Sequence, residues 1–95
     1  MGGLPRPVAL TGADQVVRTT SSIYRGLTVR ETTGGAGAVL RVFDHASAAS
    51  GTLLQTVALG NGESLTVVHP AGLWAIDGIY VDVVSGAVEG AIYVG

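Results

Sequence analysis

The chain has 95 residues, of which 47% are hydrophobic and only 13% charged, and its net charge is −2. That length suits one domain, and the charged share is about half the usual ~25%. The absence of Cys excludes disulfides and thiolate metal sites. The lack of a basic cluster argues against a groove that neutralises nucleic-acid phosphates, and no run of about 20 apolar residues offers a membrane-spanning helix.

In chain order, residues 1–15, MGGLPRPVALTGADQ, read as an extended N-terminal arm. Pro5 and Pro7 fix φ and remove backbone donors, while Gly2, Gly3 and Gly12 add freedom. Leu4, Val8 and Leu10 are too apolar for a pure solvent tail, so the arm either lies along a partner or frays as a terminus. Residues 16–95 read as the folded domain. Strand patterns cover residues 15–20 and 23–32, the latter with Ile23, Leu27 and Val29 on one face. After the glycine-rich turn at residues 33–37 comes a strand at 38–44, with Leu40 and Val42 inward and Arg41 outward. A loop of small residues, 45–51, precedes a strand at 53–59 that groups Leu53, Val57 and Leu59, with Gln55 out of place among them. Gly60-Asn61-Gly62 is a strong turn signal. The strand at 63–69 points Leu65 and Val67 inward and is broken by Pro70-Ala71-Gly72. Short strands follow at 73–76, 79–84 and 87–94, separated by Asp77-Gly78 and Ser85-Gly86.

Seven or eight strands, with turns about every 8–12 residues, predict an all-β fold: a single small antiparallel β-sandwich or a jelly-roll-like barrel. No window keeps a helical period. The expected core is Leu27, Val29, Leu40, Val42, Val57, Leu59, Leu65, Val67, Ile79, Val81, Val83 and Ile92.

The sequence holds no catalytic constellation. Gly34-Gly35-Ala36-Gly37 is followed by a strand pattern and no Lys, so it reads as a turn and not a phosphate cradle. His45, His69, Asp44, Asp77 and Asp82 are metal-compatible side chains without ligand spacing. Ser47, Ser50 and Ser64 lack a nucleophile-elbow context. Asp82 and Glu89 read as solvent-facing residues on a hairpin. The expectation is therefore a protein that is not an enzyme and has no cofactor or metal. Scarce charge and the absence of Lys, a common guard of sheet edges, predict that part of the surface is an interface. Trp74 reads as a core or interface residue. Tyr24, Tyr80 and Tyr93 have the amphipathic character that suits either place.

The segments LTVRETTGGAGAVLRVFD, SGTLLQTVALGNGES and GLWAIDGIYVDVVSGAVEGAIYVG carry a resemblance. From about Leu27 to Gly95 the chain resembles small accessory virion proteins of tailed bacteriophages, through small and β-branched residues and without a catalytic motif. The resemblance implies a β-sandwich accessory protein of a capsid or tail. It assigns no functional residues. With the composition, it leads to the expectation of a capsid decoration (cement) protein on the capsid surface, made in the host bacterial cytoplasm. Its partners would be the major capsid protein and further copies of itself, as a homotrimer, with no nucleic acid or membrane involved. The alternative is a tail or fibre domain that binds host-surface glycan. The expected partner interface comprises Leu4, Val8, Leu10, Trp74 and Tyr80.

Overall fold

The computed structural model describes residues 5–32 and 37–95. Eight strands follow one another: β1 (Arg6–Ala9), β2 (Gln15–Arg18), β3 (Ser22–Glu31), β4 (Ala38–Asp44), β5 (Thr52–Leu59), β6 (Ser64–Ala75), β7 (Ile79–Ser85) and β8 (Val88–Val94). They form two four-stranded antiparallel sheets, ordered β1-β8-β3-β6 and β2-β7-β4-β5. Only the β4–β5 connection stays within a sheet; every other connection passes to the opposite one. This alternating wind is that of a jelly roll. The expected antiparallel sandwich of seven or eight strands is therefore the observed architecture.

Period-2 alternation builds the core between the sheets. Leu27 and Val29 of β3 and Ile92 and Val94 of β8 face Leu40 and Val42 of β4, Val57 and Leu59 of β5, and Ile79 and Val81 of β7, all buried. Three expected core positions differ. Leu65 is 37% exposed and Val67 is half-buried, because β6 is an edge strand whose inward side chains have a neighbour on one side only. Val83 packs against the core but is only partly buried. In their place the core takes Val17, Tyr24, Ala38, Ala75, Val88 and Val94.

Bulges set the faces of several other residues, since one extra residue moves every later side chain to the other face. In β3 the register shifts between Tyr24 and Gly26 against both neighbours. Tyr24 is thereby buried beside Leu27 and Val29, whereas Ile23 leaves the inward set. Gly26 has φ 131°, and a Cβ there would lie 2.0 Å from the Val67 carbonyl oxygen. Only glycine fits this approach. In β5 the shift between Gln55 and Leu53 sends Leu53 outward and Leu54 toward the core, while Gln55, opposite Val42, keeps the inward face of Val57 and Leu59. In β6 the ladder steps from Gly26↔Val68 to Tyr24↔Leu73. Residues 69–72 loop out at that step, so the expected break is a bulge inside one strand.

Within the expected arm, Arg6–Ala9 is extended but pairs along β8. Leu10 N–H donates to Gly90 O at 2.9 Å. Antiparallel bonds alternate, so Val8 and Arg6 face β8 and Pro7 turns its nitrogen outward. The proline costs no ladder bond there.

Two buried carboxylates fasten the corners. Asp44 accepts from the N–H groups of Ile76 (3.0 Å) and Asp77 (2.8 Å), holding the β6–β7 crossing against the end of β4. Glu31 accepts from Gly62 N–H at 2.8 Å at the β5–β6 crossing. The Gly60-Asn61-Gly62 turn is closed by Glu63 N–H on Gly60 O and by Gly60 N–H on Glu63 Oε1. It joins strands of different sheets.

Candidate interaction surface

The first surface is the outer face of the β2-β7-β4-β5 sheet. With Leu40 and Val42 inward, Arg41 and Phe43 point outward. The register places Val16 beside Tyr80, Tyr80 beside Phe43, and Phe43 beside Leu53. One apolar row thus crosses all four strands. Val16 and Leu53, at its ends, are exposed, and Tyr80 is half-buried. Phe43 is only 7% exposed although it lies outside the core. Its neighbours in the row flank it, and the Arg41 guanidinium lies over its ring, 5.0 Å from the centroid. Arg41 in turn donates to Asp82 Oδ2 from Nε (3.1 Å) and Nη2 (2.5 Å), across β4 and β7. This ion pair holds the guanidinium over the ring. Val84 continues the exposed apolar surface along β7.

The second surface runs along β6. Trp74 is 66% exposed, and its indole N–H donates to Ser21 Oγ at 2.7 Å. Ile76 is also exposed, and Val68, on the other side of the bulge, is 62% exposed. The β6 edge itself can be read from two bonds. Glu31 N–H donates to Glu63 O, and Thr32 N–H donates to Ala87 O. Odd-numbered residues of β3 after the bulge therefore bond β6, and even-numbered ones bond β8. Val29 and Leu27 engage Leu65 and Val67, which leaves the N–H and C=O groups of Ser64, Thr66 and Val68 pointing away from the sheet.

The expected interface residues are distributed across these surfaces and the core. Trp74 is on the β6 surface and Tyr80 is in the row. Val8 and Leu10 pack partly buried against the protein's own core. Leu4 lies outside the described residues, as does most of the glycine-rich turn at residues 33–37. Sequence reasoning missed Phe43, although its outward parity follows from Leu40 and Val42. It also missed Leu53, whose direction depends on the bulge.

Of the metal-compatible side chains, Asp44, His45, His69 and Asp82 are engaged in holding the fold. His45 Nδ1 accepts from the N–H groups of Ser47 and Ala48. His69 Nε2 bonds Gln55 Oε1 at 2.9 Å, linking β6 to β5. Asp82 is buried against Arg41, and Glu89, in the other sheet, lies 3.9 Å from Arg30 of the adjacent strand β3. The hairpin expected to bring Asp82 and Glu89 together does not form, because β7 and β8 belong to different sheets. Comparison with family models, curated proteins and solved structures finds no match to this chain.

Proposed function

We propose that this chain is a structural, non-catalytic virion protein that coats the assembled head of a tailed bacteriophage as a decoration protein. The observation that carries the reading is the apolar row Val16–Tyr80–Phe43–Leu53, laid across a rigid sheet and open to solvent at both ends. A preformed apolar surface on a poorly charged domain gains free energy from being covered. The phage context rests on the sequence resemblance. The jelly-roll wind is compatible with it, since that architecture serves viral capsid proteins as well as lectins. A domain that binds only the assembled shell stabilises it by linkage, and many bound copies act together.

The test is imaging of purified virions with a copy count. Many copies on the head surface are expected. Particles lacking the protein should still form but lose DNA more readily on heating or chelation. Substituting Tyr80→Lys or Leu53→Lys should abolish attachment while the domain stays folded. A few copies at one tail tip would overturn the decoration role.

One observation favours the glycan-binding alternative. Trp74 is exposed and anchored through its N–H, which leaves ring surface on which a sugar could stack. Quenching of Trp74 fluorescence by host-surface glycan, lost in Trp74→Ala, would select that reading. Emission that glycan leaves unchanged would select the structural one.

A further inference from the structure

We propose that two copies of this chain pair edge to edge through β6, antiparallel about a two-fold axis at Thr66. The other sheet edges are guarded. On β1, Pro7 turns its nitrogen outward, and Pro5 shares its parity. β2 has four residues and a register shift at Val17. β5 is bulged at Leu54. Prolines, short strands and bulges are the devices that keep sheet edges from pairing. Along residues 64–68, β6 has none of them. Its register with β3 is regular there, and the intervening side chains Leu65, Thr66 and Val67 carry no charge.

The exposed groups of this edge match a second copy of themselves. With Thr66 opposite Thr66, Ser64 meets Val68, so every outward N–H and C=O of Ser64, Thr66 and Val68 finds a partner. Leu65 meets Val67, covering a side chain that the monomer leaves 37% exposed. Neighbouring registers are poorer. One step toward the C-terminus sets Pro70 opposite Ser64; one step the other way sets Glu63 against Val67. The contact is isologous and closes after two copies, joining the two β1-β8-β3-β6 sheets into one continuous sheet. A three-fold ring would need β6 to meet a different edge and would forfeit the self-complementary register about Thr66. The pairing follows from the edge alone and holds whatever surface the Val16–Leu53 row covers.

Sedimentation of the full chain at about 100 µM should give twice the 9.5 kDa chain mass. Thr66→Lys should sediment as a monomer with an unchanged far-UV spectrum. Thr66→Cys places the only thiol of the chain on the axis. Opposed residues of a bonded antiparallel pair lie about 5.5 Å apart, a separation that a disulfide spans. The Thr66→Cys variant should therefore cross-link under mild oxidant at least about tenfold faster than Ala58→Cys on the exposed side of β5. If Thr66→Lys fails to fold, the cross-linking rate still reads the geometry. A wild-type monomer, a trimer, or equal cross-linking of the two cysteine variants would overturn the pairing, and none of these would bear on where the protein sits in a virion.

Discussion

Tyr24 is fully buried, its hydroxyl meets no acceptor among the described residues, and its ring lies tilted against His69 at 5.5 Å. Burial disfavours the phenolate and pushes the Tyr24 pKa well above its ordinary value. The unfolded chain ionises near pH ~10 while the folded chain keeps the proton. Above that pH the unfolded state therefore binds fewer protons, and stability falls as pH rises. An orphaned buried hydroxyl costs about 1–3 kcal/mol, so Tyr24→Phe should leave stability unchanged or raise it by about 1 kcal/mol near neutral pH. The variant's advantage should widen above pH ~10. Urea midpoints at pH 8, 10 and 11 measure this; parallel pH profiles for the two proteins would refute it. Gly26 is the opposite case, where the missing side chain matters. Gly26→Ala forces a Cβ against the Val67 carbonyl at a φ that L-residues rarely adopt. It should cost about 3 kcal/mol, read as a lowered midpoint in the same titration. A loss under ~1 kcal/mol would mean that β3 slides to relieve the bulge.

At the scale of elements, β1 shows how a segment that reads as a tail becomes part of the sandwich. It covers the β8 edge and brings Val8 and Leu10 against the core. Gln15 ties it to β2, donating to Ala9 O at 2.9 Å and accepting from Thr11 N–H at 3.0 Å. Removing residues 1–10 should therefore destabilise the domain by several kcal/mol, on the order of burying two aliphatic side chains at ~1.5–3 kcal/mol each. Thermal unfolding of the truncated chain measures it. An unchanged midpoint would return the segment to the role of a free arm. The strand patterns themselves were legible in the sequence, but the faces at bulges were not. Ile23 and Leu53 were grouped with residues that lie beyond a register shift, and the shift depends on how the neighbouring strands pair.

At the scale of the whole molecule, nearly every connection crosses from one sheet to the other, and every strand but β5 pairs with one distant in sequence. Loop-closure entropy must be paid before such contacts form. Refolding should therefore be slow for a chain of this size, in the range of about milliseconds to seconds. Stopped-flow circular dichroism after dilution from urea measures it, and sub-millisecond refolding would contradict the wind described here. The wind also decides which surfaces are free. It leaves β6 and β5 as edges on one side and β1 and β2 as edges on the other.

The fold class, the approximate strands and much of the core can be read along the chain, because side-chain alternation and turn residues are local properties that two-residue periodicity exposes directly. The composition also leaves the surface poor in charge. Which strands are edges emerges with the folded sheets, because most pairing partners lie far apart in the chain. So does the inward face beyond each bulge, because a bulge is a mismatch between two strands and neither shows it alone. Phe43 and Arg41 are two residues apart in sequence, but the apolar row exists because Val16, Tyr80 and Leu53 arrive beside Phe43 from three other strands. The interaction surface is thus a product of register, and register is set by the packing of the sheets.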